Sequence, residues 1–243
     1  MPPIVIAHRT CPPDAPENSL LGIRKAAELG ADGVEIDLRV SLDQRPFLMH
    51  DNTMLRTARF PLPLELTPSF LVRWLRLQGT SERVPSLEET LDALPEGMLL
   101  AVDVKTPWAV IALVRSIKRR RIESRVLVWC QSALAVRYVA RAAPAVEVAY
   151  LKDVSDQERN LTFISRAKRI GAKAVSAHWS AIDREFVGAA HALGLRVYSW
   201  HGGSELVAPG LSAGLDGLIT DFPKQAREAL AGLTLPEPDR ILD

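Results

Sequence analysis

Two acidic residues stand inside an apolar run at the start of GVEIDLRVSLDQRPFLMHD (33–51), and a second apolar run there ends in His50-Asp51. Side chains alternate along an extended strand, so Glu35 and Asp37 share one face while Val34, Ile36 and Leu38 share the other. Two adjacent carboxylates on a shielded face repel each other, and both stay ionised when a cation binds between them. Oxygen-only ligands suit Mg2+ or Ca2+ better than zinc. The alternation recurs in LLAVDVKT, where Asp103 and Lys105 stand opposite Val102 and Val104. IAHRT brings His8 and Arg9 to the end of a third apolar run, and PFLMHD brings His50. Singly, each is ordinary: a solvated sheet face, or a terminal histidine with a structural partner. Together, three carboxylates, two histidines, an arginine and a lysine are the chemistry of a phosphate ester. Metal and cations hold the anion, and two imidazoles move protons.

Such a set needs strand ends that converge. Short apolar runs at 3–8, 33–40, 99–105, 125–130, 147–151, 174–179, 196–200 and 217–220 alternate with amphipathic, helix-length segments, several stopping at a glycine. Strand–helix alternation predicts a parallel sheet covered by helices, and eight strands in this length predict a (β/α)8 TIM barrel. An open doubly wound sheet is disfavoured, because the first turn, HRTCPPDAPEN, has no G-x-G-x-x-G phosphate loop. The rhythm breaks at 41–98, read as an insertion between the second and third barrel strands. There RPFLMH predicts a short extra strand, RFPLPLELTPS a surface loop, and SLEETLDAL a helix with a Ser86–Glu89 capping box. The whole chain, 1–243, reads as one domain.

With 47% hydrophobic and 24% charged residues, the composition is that of a globular protein, and a net charge of +1 gives no reason to expect nucleic acid. No run approaches the ~18 apolar residues of a membrane span, so no stable membrane insertion is expected. MPPIVIAHRT lacks the basic start of a signal peptide. Two cysteines make no disulfide framework, and a reducing, cytoplasmic location is the expectation.

The sequence resembles the glycerophosphodiester phosphodiesterase family in AHRT (7–10), PENSLLGIRKAAELGADGVEIDLRVSLDQRPFLMHDNTMLRT (16–57), VPSLEETL (84–91), VDVK (102–105) and GLDGLITDFP (214–223). Between 106 and 195 it matches only as alternating strands and helices. The resemblance implies a barrel hydrolase of a small-molecule phosphodiester, requiring a divalent cation, Mg2+ or Ca2+. It implies His8 and His50 as the acid–base pair, and Glu35, Asp37 and Asp103 as metal ligands. Arg9 and Lys105 would hold the phosphate, and Glu17 would join the polar network around the metal and His8. Trp200 would line the alcohol pocket. In similar enzymes a neighbouring hydroxyl attacks phosphorus and water opens the resulting cyclic phosphate, giving glycerol 3-phosphate and an alcohol.

Two departures stand out: Thr10 where the family usually has glycine, and Asp103 where it has glutamate, one methylene and about 1.5 Å shorter. YSWHGGSEL also replaces the usual ending of the seventh strand, making His201 unfamiliar. His178 and His201 are left open between substrate contact and structure, and His191 is placed outside the site. Cys11 and Cys130 read as bystanders, Asp221 as an anchor for a turn and helix start, and KRRR (118–121) as charge at a helix end. Rival readings keep the site but change the substrate, as a lysophospholipase D-like or phosphomonoester hydrolase, or make it a lapsed, ligand-binding barrel. The chain would act as a monomer or a homodimer.

Overall fold

Eight parallel strands close on themselves in the computed structural model, which describes residues 3–153, 158–201 and 214–232. In chain order the strands are β1 (Ile4–Ala7), β2 (Gly33–Val40), β3 (Pro46–Leu48), β4 (Leu99–Val104), β5 (Val126–Cys130), β6 (Glu147–Lys152), β7 (Ala174–His178), β8 (Arg196–His201) and β9 (Gly217–Thr220). β1 pairs with both β2 and β9, which closes the ring. β3 lies outside it, antiparallel to β2, and is the short extra strand expected from RPFLMH.

The described helices are α1 (Leu20–Glu28), α2 (Leu55–Ala58), α3 (Ser69–Val72), α4 (Leu87–Ala93), α5 (Ala109–Arg120), α6 (Ala133–Ala142), α7 (Asn160–Arg169), α8 (Arg184–Ala192) and α9 (Pro223–Gly232). Side-chain caps start several of them. Ser19 accepts from Gly22 N before α1, Ser132 from Ala135 N before α6, and Asp183 from Phe186 N before α8. The Ser86–Glu89 capping box before α4 is formed in both directions.

Strand alternation builds two cores. Val34, Ile36, Val102, Val128, Val148, Val175 and Val197 face outward onto Leu113 and Ile117 of α5, Phe163 of α7 and Phe186 of α8. Each such buried side chain contributes about 1.5–3 kcal/mol of transfer free energy. Ile6, Ala101, Leu127, Trp129, Ala149, Ala174, Tyr198 and Ile219 fill the interior. Tyr198 takes so much of that space that a Cβ on Gly217 would lie 2.6 Å from its ring, so packing alone requires glycine there.

The interior residues stop short of the strands' C-terminal ends, leaving a hollow. At the opposite end, Glu147 accepts from the Tyr198 hydroxyl and pairs with Arg196 at 3.0 Å. Asp216 pairs with His191 at 2.8 Å and accepts from Val197 N.

The insertion differs from its expectation in one respect. RFPLPLELTPS is more than a surface loop. Leu64 is fully buried in a separate small core with Phe47, Met54, Val72 and Leu77. Arg39 on β2 ties this cap down, donating to Glu65 at 2.9 Å, and Thr106 donates to the same oxygen at 2.6 Å.

Candidate active site

β1 ends in a tight turn in which Arg9, Thr10 and Cys11 take φ of +43°, +62° and +74°. Left-handed backbone costs an L-residue about 1–2 kcal/mol. What it gains here is direction: the Arg9 N–H donates to Glu35 Oε2 at 2.8 Å. Thr10, where the resemblance expects glycine, keeps the positive φ and buries its side chain away from the hollow. Its Oγ1 accepts from Ser19 N at 3.0 Å, and its carbonyl lies 2.0 Å from where a Cβ on Gly22 would stand. Asn18, also left-handed at φ +53°, clasps Asp37 twice. Its amide donates to Oδ2 at 2.7 Å and accepts from Asp37 N at 2.9 Å.

Asp37 and Asp103 sit in register on β2 and β4. With Glu35 they bring one oxygen each within 4.8 Å of one another, the Glu35 and Asp37 side chains buried and that of Asp103 12% exposed. The shorter Asp103 therefore still reaches the cluster. Lys105 Nζ lies 2.5 Å from Asp103 and 3.1 Å from Asp37, and Arg9 Nε lies 3.6 Å from Asp37.

Burial raises the pKa of Glu35, and the charge of Asp37 adds to it. Burial also raises Asp103, more than Lys105 lowers it. For Asp37 burial is outweighed by the charges of Lys105, His50 and Arg9 and by the Asn18 amide, so it stays below the usual carboxylate range. Lys105 is held above the usual ammonium range because Asp103 and Asp37 outweigh its own burial. Three buried carboxylates thus face two cations, and two of the three resist ionising. An all-oxygen donor set with this excess of negative charge fits a hard divalent cation.

The two histidines stand on either side with the same architecture. His8 Nδ1 pairs with Asp221 Oδ1 at 2.7 Å, and His50 Nδ1 with Asp51 Oδ1 at 2.8 Å. In each, Nδ1 is committed and Nε2 remains for chemistry. Burial lowers the His8 pKa, but the Asp221 hydrogen bond and the Glu35 charge outweigh it and raise the net value. Asp221, read from the sequence as a turn anchor, is instead the partner that orients His8. Arg39 fixes the other histidine through the backbone, donating to the His50 carbonyl from Nε at 3.2 Å and Nη2 at 3.1 Å.

Glu17 is also placed differently from its expectation. Both its oxygens accept from Arg56 at 2.7 Å, and Arg56 binds Asp51 at 2.6 Å. Glu17 therefore belongs to the His50 arm, with Arg9 3.8 Å away, and does not line the cavity.

That cavity has a volume of about 110 Å³ and is bounded by His8, Arg9, the three acids, His50 and Lys105 on one side. Trp129, Ser176 and Trp200 form the other, with Leu151 and Ile219. Among the described residues, Trp129 Nε1, Ser176 Oγ and Trp200 Nε1 are buried polar atoms without a protein hydrogen-bond partner. They are donors left for a ligand's acceptors.

His178 meets the Trp200 ring edge-on at 4.8 Å and bonds Ser180. His191 is at the far end of the barrel. Cys11 and Cys130 are free, buried thiols, and burial together with Asp14 pushes Cys11 up to about 12. The His201 side chain and the GGSEL segment lie outside the described residues. Sequence reading passed over Asn18, Asp51, Arg39, Trp129 and Ser176. Asn18 directly follows Glu17 in PEN, and Arg39 is the third member of the same alternation as Glu35 and Asp37.

A (β/α)8 barrel with a carboxylate cluster and two carboxylate-bound histidines at the C-terminal mouth defines a class: barrel hydrolases of phosphate esters. Residues 8–225 match the model of the Glycerophosphoryl diester phosphodiesterase family, and the chain belongs to that family of enzymes. It is 27% identical over 240 residues to a glycerophosphodiester phosphodiesterase of Caldanaerobacter subterraneus, covering 92% of this chain and 96% of that protein. It is 41% identical over 110 residues to the mouse glycerophosphodiester phosphodiesterase 1, a match covering 41% of this chain and 33% of the relative's length. Among solved structures, a phosphodiesterase of Oleispira antarctica in complex with the product sn-glycerol-3-phosphate superposes with a TM-score of 0.85. The pair is 23% identical, over 94% of this chain and 97% of that one.

Proposed function

We propose that this protein hydrolyses glycerophosphodiesters to glycerol 3-phosphate and an alcohol, with a divalent cation, Mg2+ or Ca2+, held by Glu35, Asp37 and Asp103. The observation that carries the reading is the pair of carboxylate-bound imidazoles flanking one buried cluster of three acids. The names of the relatives and the product bound by the Oleispira enzyme support the substrate class. When bound, the cation supplies positive charge to a phosphate oxygen and makes a neighbouring hydroxyl more acidic.

The chain's own residues do the rest. Arg9 and Lys105 meet the phosphate oxygens and stabilise the charge that builds on them. His50 Nε2 takes the proton of the glycerol hydroxyl next to the phosphoester as that oxygen bonds to phosphorus. His8, whose pKa the Asp221 hydrogen bond raises, is the protonated partner and gives its Nε2 proton to the departing alcohol. The cyclic phosphate is then opened by water with the roles reversed: His8 removes the water's proton and His50 returns one to the ring oxygen. Asp221 and Asp51 hold the two rings in the tautomer that keeps Nε2 in play. Trp129, Ser176 and Trp200 donate to the polar groups of the ester.

The test is release of glycerol 3-phosphate from glycerophosphocholine, followed with a coupled dehydrogenase. Turnover is expected to vanish after chelation and to return with Mg2+ or Ca2+. Turnover that survives exhaustive chelation would remove the cation from the reading.

A further inference from the structure

Cap residues 42–74 carry more exposed apolar surface than the barrel explains. Of the large apolar side chains exposed among the described residues, Leu42, Leu55, Leu62, Leu66, Phe70, Leu71 and Trp74 all fall within this short stretch. Phe70 is 64% exposed and Trp74 72%. They form neighbouring pairs. Phe70, Leu71 and Trp74 lie on α3 and its extension, where the Trp74 N–H donates to Leu71. Leu42 N donates to the Thr67 carbonyl beside Leu66, and Met54 N to the Leu62 carbonyl beside Leu55. The cap has its own core in Leu64, Val72 and Leu77, so these outward residues are surplus to its folding.

The charges around the patch are mainly basic, with one exposed acid, Asp43, which follows Leu42 and accepts from Ser69 N and Oγ at the start of α3. Arg59, Arg73, Arg76 and Arg83 are exposed, and none forms a described ion pair. Arg83 lies over the Trp74 ring at 5.1 Å, and Arg76 donates to the Ser81 carbonyl. The other acids nearby are engaged away from the patch, Asp51 with Arg56, Glu65 with Arg39 and Glu82 with Leu21 N and Arg24. Apolar side chains that include a tryptophan, with an excess of arginines in the same segment that form no described ion pair, complement an anionic lipid surface, where tryptophan sits at headgroup depth and arginine meets phosphate.

We infer that the exposed face of the cap, Leu66, Phe70, Leu71 and Trp74 with its four arginines, docks the protein on an anionic phospholipid bilayer. The contact is superficial, since no described helix is long and apolar enough to cross a membrane. The same insertion carries His50 and Asp51 of the mouth. The inference does not depend on which ester is cleaved.

The experiment is co-sedimentation of the full chain with vesicles of phosphatidylcholine alone and of phosphatidylcholine with an equal part of phosphatidylglycerol. The protein is expected to pellet with the mixed vesicles, less so as salt rises. The double variant Phe70→Ser, Trp74→Ser is expected to bind at least about tenfold more weakly. Each of Arg59→Gln and Arg73→Gln should cost roughly fivefold on anionic vesicles only. Hydrolysis of dissolved glycerophosphocholine should be unchanged in all three, which separates this inference from the proposed reaction. No pelleting with either vesicle, or equal pelleting of parent and double variant, would overturn it. So would a parent that sediments as a dimer which the double variant dissociates, because the face would then belong to a second copy.

Discussion

The two ends of this barrel are built from the same residue types and reach opposite states. At the N-terminal end, Glu147 meets Arg196 and Tyr198, Asp216 meets His191 and Val197 N, and Asp32 meets Arg227 and Val5 N. Each acid there has a close hydrogen-bond donor of its own, although Arg196 also lies 3.8 Å from Asp216. At the C-terminal end Glu35, Asp37 and Asp103 crowd one another, Lys105 is shared between two of them, and Arg9 Nε lacks a hydrogen bond. The backbone leading to that end is left-handed at four non-glycine positions, Arg9, Thr10, Cys11 and Asn18. A histidine–aspartate pair occurs at both ends, but only at the mouth does it face a cavity. Satisfied charge stabilises a fold, whereas concentrated charge beside unpaired donors costs stability and provides a place for a ligand.

Substitutions can break the contrast, and the largest effects belong to the mouth. Glu35→Ala and His50→Ala are each expected to lower kcat by about a thousandfold or more, with a melting temperature no lower than the parent's. Near-parental turnover in saturating Mg2+ by either variant would end the role assignment.

Asp221→Asn should cost about ten- to a hundredfold in kcat and also move the pH profile. Asp221 raises the His8 pKa, and with His8 as the protonated acid of the proposed reaction, activity should fall as pH rises through that pKa. Removing the carboxylate lowers the pKa, and the alkaline limb of kcat/KM should shift to lower pH. An unmoved limb would show that His8 does not set it.

Arg39→Gln tests positioning. It removes two hydrogen bonds to the His50 carbonyl and a tie to Glu65. A lower kcat is expected with KM little changed, together with about 1–3 kcal/mol of stability measured by urea unfolding. At the opposite end the sign of the contrast reverses. Tyr198→Phe should cost about 1 kcal/mol of stability through the lost bond to Glu147, with turnover untouched. Smallest of all, His191→Gln, on a half-exposed pair with Asp216, should change stability by about 0.5 kcal/mol and kinetics not at all. A kinetic defect in either would mean that the two ends are coupled.

Much of this was legible beforehand because strand alternation is a local rule. It put Glu35 and Asp37 on one face, Asp103 and Lys105 on another, and the same parity extends inward to Trp129, Ser176 and Trp200. The capping box at Ser86 is likewise local, closed within three residues. The carboxylate partners of the histidines divide on this ground. Asp51 is adjacent to His50, while Asp221 is 213 positions from His8 and becomes its neighbour only when β9 pairs with β1.

The sequence by itself determined the elements, the inward-facing acids and the barrel, since periodicity, capping and turn chemistry act over a few residues. Tertiary structure alone decided which carboxylate holds which imidazole, that Glu17 serves the His50 arm through Arg56, and that a proline-rich stretch folds over its own core. It also decided that the cap leaves Phe70 and Trp74 outside that core. These outcomes depend on ring closure and on distances between residues far apart in the chain, which no local pattern encodes.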